Sequence, residues 1–98
     1  MAHLDFTWDP LKARANLRKH GVSFVEAQSV FLDERARLVD DPEHSDAEDR
    51  FILLGLSAAL RVLVVVHAFR EARGVIRIIS ARKATPTERA RYERGRRS

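Results

Sequence analysis

The chain contains no cysteine and only one each of methionine, tryptophan and tyrosine. Without thiols it has no disulfide framework and no thiolate metal site, which fits a reducing compartment such as the cytoplasm. Long apolar runs are also missing. The longest, VLVVVHAF, falls far short of the ~20 residues of a membrane helix. The N-terminal MAHLDFTWDP shows no basic stretch followed by an apolar one, so neither a secretory leader nor a membrane segment is expected. Nothing resembles a phosphate loop, a nucleotide fold or a Ser-His-Asp triad. His44 has Asp41, Glu43 and Asp46 nearby, but no two ligands follow a pattern such as H-E-x-x-H, so no metal and no cofactor is expected.

What is present is enough for one small domain spanning residues 1–98. A hydrophobic content of 45% argues against disorder. The net charge of +4 understates how unevenly charge is spread. Residues 33–49 carry eight acids and two bases, whereas residues 77–98 carry eight bases and two acids. Residues 9–20 add four bases against Asp9. Two basic zones flank an acidic middle. On a small domain they point to a polyanion, most often nucleic acid, although solvated surface is the commoner meaning of a charge run.

HLDFTW alternates as a short strand. Asp9 and Pro10 open a helix that Gly21 closes. Ser23 and Glu26 form a capping box for a second helix, whose apolar face is Phe24, Ala27, Val30 and Phe31. RARLVD, RFILLGLS, RVLVVVHAFR and VIRIISA read as four consecutive strands, antiparallel because their connections are short. The third of these is apolar on both faces and belongs at the centre. Thr85, Pro86 and Glu88 start a last helix. The predicted order is β-α-α-β-β-β-β-α: an α+β domain with a four- or five-stranded antiparallel sheet and the helices on one face.

Asp9, Lys12, Asn16, Lys19 and His20 fall on one side of the first helix. Asparagine is an unusual choice for an exposed helix position. His20 ends the helix, where the dipole favours a cation, and a histidine can serve as acid or base near neutrality. His67, inside VVVHAF, is more simply a hydrogen-bonded core residue and a second candidate at most. Along VIRIISA, alternation places Val75, Arg77, Ile79 and Ala81 on one face and Ile76, Ile78, Ser80 and Arg82 on the other. Arg77 should then point away from the helices, toward His20's end of the stripe. Arg82 and Lys83 close the strand as an anion-binding rim, Arg as a fork of donors and Lys as a point charge. Arg89 and Tyr92 share one side of the last helix, where Tyr92 could stack a base or simply pack.

FTWDPLKARANLRKHGVSFVEAQSVF (6–31), EDR (48–50) and RIISARKATPTERARY (77–92), taken in order, resemble the BrnT family of bacterial toxins. The likeness runs through nearly the whole chain. It implies a RelE-like fold and a ribonuclease of a type II toxin–antitoxin pair. It also implies a BrnA-like antitoxin that binds DNA through a ribbon-helix-helix domain, with a homo-oligomer or a toxin–antitoxin heterotetramer as the assembly. Trp8, Asp9, Lys12, Asn16, Lys19, His20 and Gly21 lie on the family's motif, as do Arg50, Arg77, Ser80, Arg82, Glu88, Arg89 and Tyr92.

RNA can be cut without metal when its own 2′-hydroxyl attacks the neighbouring phosphorus. The enzyme then supplies a base, an acid and cations for the phosphorane charge. The candidate catalytic residues are His20, Arg77 and Arg82, with Glu26 as a reserve base. The candidate RNA contacts are Lys12, Asn16, Lys19 and Arg50, together with Lys83, Arg89 and Tyr92. Two other classes stay open: a basic module that binds nucleic acid or an acidic protein without turnover, and an adaptor that pairs through its acidic loop.

Overall fold

A computed structural model of the chain describes residues 4–40, 50–70 and 73–96. The acidic loop with His44 lies outside the described residues. The elements are β1 (Asp5–Thr7), α1 (Pro10–His20), α2 (Phe24–Ser29), a 3-10 turn (Val30–Leu32), β2 (Arg37–Asp40), β3 (Arg50–Leu56), β4 (Val62–Arg70), β5 (Val75–Lys83) and α3 (Pro86–Arg96). This is the expected α+β order.

Local chemistry sets the helix ends. Asp9 accepts the Leu11 amide at 2.8 Å, and Pro10 occupies the first helical position. Gly21 stops α1 with a left-handed φ of 68°, and its amide bonds Leu17 O at 2.8 Å. Ser23 Oγ accepts the Glu26 amide at 3.0 Å to start α2. At α3 the capping box is complete. Glu88 N donates to Thr85 Oγ1 at 3.2 Å, and Thr85 N donates to Glu88 Oε1 at 2.8 Å.

The sheet has five strands in the order β1-β5-β4-β3-β2. β2 to β5 form an antiparallel meander, and β1 joins β5 in parallel, which makes the sheet mixed. Leu53, Leu63 and Val65 point to one face, where they pack with Ile76, Ile78 and Ala81 and with Val22, Phe24, Ala27 and Val30. Burying side chains of this size contributes about 1.5–3 kcal/mol each. Gly55 sits where β3 passes beneath the 3-10 turn. A Cβ there would lie 2.8 Å from both Ala36 Cβ and Val30 Cγ1. The chain needs glycine at this close approach.

The helices do not share one face. Leu54 and Val64 point the opposite way and pack with Tyr92 of α3. The cause is the composition of β4: a central strand apolar on both sides needs cover on both sides. α1 and α2 supply one cover, and α3 supplies part of the other.

The alternation expected along β5 also fails, at one point. Val66 faces Ser80 but His67 faces Ile78, so Ile79 is an extra residue in the ladder. Past this bulge the sides exchange. Ala81 turns into the core beside Ile76 and Ile78. Ser80 and Arg82 join Arg77 on the other face, opposite Val66, Val64 and Ala68.

Candidate nucleic-acid interface

Cross-strand pairing arranges the face away from α1 and α2 in three rows: Arg37–Leu54–Val64–Arg82, Val39–Ile52–Val66–Ser80 and Arg50–Ala68–Arg77–Thr7. Tyr92 packs over the first row and α3 is held there. The Tyr92 hydroxyl donates to Asp33 Oδ2 at 2.6 Å, and Arg37 Nη1 donates to Arg91 O at 3.1 Å. The third row carries Arg50 and Arg77. Arg77 lines a depression of about 220 Å³ together with Thr7, Ala68, Arg73 and Val75. Arg73 was not anticipated from sequence; it sits in the turn just before β5, where only folding shows that it joins Arg77.

Arg82 lies on the same face, and its fork is engaged. Nη1 and Nη2 donate to Glu88 Oε1 and Oε2 at 2.8 and 2.9 Å. Glu88 therefore serves two tasks, capping α3 and fixing Arg82. The Arg82 guanidinium, with help from the Thr85 amide against burial, holds the Glu88 carboxyl down at about 2. The same bond raises the Arg82 pKa. Arg82 is a cation of set orientation, with 41% of its side chain still exposed.

Lys83 and Arg89 come together elsewhere. They line a cleft of about 500 Å³ with Arg61, between the β3–β4 turn and α3. Arg61 is a second residue that sequence reasoning passed over, since at the start of a strand it carried no visible partner. Its partner is Glu26, which accepts from Arg61 Nε at 2.9 Å, from Arg61 Nη2 and from Ser57 Oγ at 2.6 Å. The Glu26 carboxylate has thus left the capping box, and chiefly the Arg61 hydrogen bonds lower its pKa. An ion-paired carboxylate of this kind is a poor general base.

Two expected RNA contacts are internal. Tyr92 is 1% exposed and cannot present its ring to a base. Asn16 is buried as well. Its Nδ2 donates to Val22 O at 2.9 Å and Ala81 O at 2.8 Å, and its Oδ1 accepts the Ala81 amide at 3.1 Å. This clamp fastens α1 to β5 and explains an asparagine on that helix. Lys12 and Lys19 remain exposed on α1.

Arg77 points away from α1 and α2 but shares its face with α3, so the expectation that it would point away from all the helices holds only in part, and it does not point toward His20. α1 lies on the core face and is tied to Ala81 through Asn16; His20 lies a turn further along. Arg77 is four residues earlier on β5, on the opposite face. The structure therefore brings Arg77 and Arg82 to one face of the sheet, with α1 packed on the other; His20 ends α1, just before Gly21, whose carbonyl accepts from Arg61 Nη2 at 3.1 Å. His67 is a core residue. It is 4% exposed, with its ring edge-on to Phe31 at 4.8 Å, and burial lowers its pKa. Among the described residues no group of three or more acidic or histidine side chains is placed to hold a metal ion. No helix among them is long and apolar enough to cross a membrane.

A five-stranded mixed sheet between helices, with cations gathered on the part of one face that α3 leaves open, defines a small basic α+β protein suited to a polyanion. A family model described as "Ribonuclease toxin, BrnT, of type II toxin-antitoxin system" matches residues 8–88, and the chain belongs to this family. Membership implies an RNA substrate and an antitoxin partner. The fold is also that of a solved structure, the Brucella abortus ribonuclease toxin BrnT, at 22% identity and a TM-score of 0.65, covering 85% of this chain and 99% of that one. Among curated proteins none matches.

Proposed function

We propose that the whole chain, 1–98, acts as one metal-independent endoribonuclease domain that cuts RNA in the cytoplasm and so inhibits translation. A ribbon-helix-helix antitoxin neutralises it. The observation that supports this most is the third sheet row, Arg50–Ala68–Arg77–Thr7, with Arg73 beside it, in a chain of the BrnT family. RNA lies across this face. The 2′-hydroxyl of one nucleotide attacks its own 3′-phosphorus, its proton leaves to a base, and the bond to the next 5′-oxygen breaks with proton uptake. The products are a 2′,3′-cyclic phosphate and a 5′-hydroxyl. Arg77 bears on the phosphorane charge, and Arg82, oriented by Glu88, supports it from the same face. Arg50 positions the strand.

The test is cleavage of RNA by purified protein in excess chelator, with end analysis of the fragments. Cyclic phosphate ends in the presence of EDTA support the mechanism. Cleavage that stops with chelator, or 5′-phosphate products, contradicts it.

A second reading, a binding module without turnover, draws on one observation. The face bearing Arg77 presents no histidine among the described residues. Salt-dependent binding that leaves RNA intact would select this reading.

A further inference from the structure

We propose that the cleft between the β3–β4 turn and α3 is a second phosphate site for the same RNA, formed by Arg61, Lys83 and Arg89. This inference rests on the ribonuclease reading and assigns to Arg61 a contact that the sequence did not suggest. Three cations and one acid, Glu93, line the cleft. No hydrogen bond or ion pair engages the Lys83 or Arg89 side chain among the described residues.

Arg61 is pre-organised for the task. Nε and Nη2 are held by Glu26, and Nη2 also donates to Gly21 O at 3.1 Å. Nη1 has no partner among the described residues, so one edge of a fixed guanidinium is left for a ligand in the cleft. Ser57 secures this arrangement from both sides. Its hydroxyl anchors the Glu26 carboxylate, and its amide donates to Arg61 O at 2.8 Å across the turn. Between them Leu60 is forced to a left-handed φ of 63°, a cost that the turn absorbs while bringing Arg61 to the cleft. A donor whose orientation is set in advance loses little freedom when it binds.

The cleft opens on the face that also carries the Arg50–Arg77 row, since Leu56 and Val62 in its wall pair in register with that face. Arg77 pairs with Ala68 and Lys83 with Leu63, five residues apart along β4 because of the bulge at Ile79, about 17 Å at strand rise. An RNA that reaches both must run extended past Arg82, so the substrate class is single-stranded RNA of several nucleotides rather than a dinucleotide.

The site is tested in two arms. In the first, inorganic pyrophosphate is titrated into the wild type and the Lys83→Gln/Arg89→Gln double variant, with NMR of the Arg61 Nε–H and the backbone amides. Saturable shifts at Arg61, Lys83 and Arg89 that vanish in the variant support the site; shifts elsewhere only, or none, overturn it. In the second, uncleavable 2′-O-methyl RNA is bound across a salt series. Loss of two contacts should weaken binding at least tenfold and lower the slope of log K against log salt by about 1.4. An unchanged slope, or loss of antitoxin affinity instead, overturns the RNA assignment and gives the cleft to an acidic protein. A wild type that binds pyrophosphate in the cleft but never cleaves RNA sinks the nuclease reading and leaves the phosphate site standing.

Discussion

The two faces of the sheet are built from the same strands and do different work. On one, β3, β4 and β5 meet α1, α2 and the 3-10 turn, and even the polar groups serve packing: Asn16 clamps α1, and His67 lies among Phe31 and Phe51. On the other, a single buried aromatic, Tyr92, holds α3 over one row, and the row beyond carries arginines. On the function proposed above, stability is concentrated on the first face and RNA recognition on the second. Substitutions on the first should cost folding and spare binding by the folded fraction. Substitutions at the cations of the second should do the reverse.

The largest expected effect on stability is from Phe24→Ala, at the centre of the covered face: about 3–5 kcal/mol by chemical denaturation. RNA affinity per folded molecule should not change. Asn16→Ala should cost about 1–3 kcal/mol, because the buried Ala81 amide loses its acceptor. If Asn16→Ala instead left the melting temperature intact and abolished RNA binding, the division between faces would be broken. Tyr92→Phe removes the hydroxyl bond to Asp33 and keeps the ring, so a smaller loss of about 1.5 kcal/mol is expected.

The smallest effect is a pH dependence. The Glu88 carboxyl is held at about 2, below its usual 4.5. Its contribution is fully present above that usual value and is lost as pH falls from 4.5 toward 2. Across this window the melting temperature of the wild type should fall more steeply than that of Glu88→Gln. The partial exposure of Arg82 keeps the difference small. Parallel curves would remove Glu88 from the account of how Arg82 is held.

Where neighbours in sequence decide the outcome, the fold was legible. Asp9-Pro10, Gly21, Ser23 and Thr85-Pro86 mark helix ends through contacts spanning four residues or fewer, and the four meander strands follow from their patterns. What stayed hidden depends on distant partners. The bulge at Ile79 exists only in the register against β4, and it exchanges the sides of Ala81 and Arg82. Glu26 matches a capping box in sequence, yet Arg61 and Ser57, more than thirty residues away, take its carboxylate. Asn16 and Tyr92 look like surface residues on polar helices, and what buries them is Ala81 on one face and Asp33, Leu54 and Val64 on the other. For the same reason the first-helix stripe and Arg77, neighbours on paper, belong to opposite faces of β5 in space: α1 is tied to Ala81, and Arg77 pairs with Ala68 on the other side.

The central claim is that RNA is processed on the face of Arg77, not on the side of His20. The direct measurement is the cleavage rate in EDTA of Arg77→Ala and His20→Ala beside the wild type, with the melting temperature of each. Arg77→Ala should be slower by about 100-fold or more at an unchanged melting temperature, while His20→Ala keeps most of the wild-type rate. The opposite pattern, an inactive His20→Ala and an Arg77→Ala that cuts at the wild-type rate, would place the chemistry on the other side of the sheet and contradict the account.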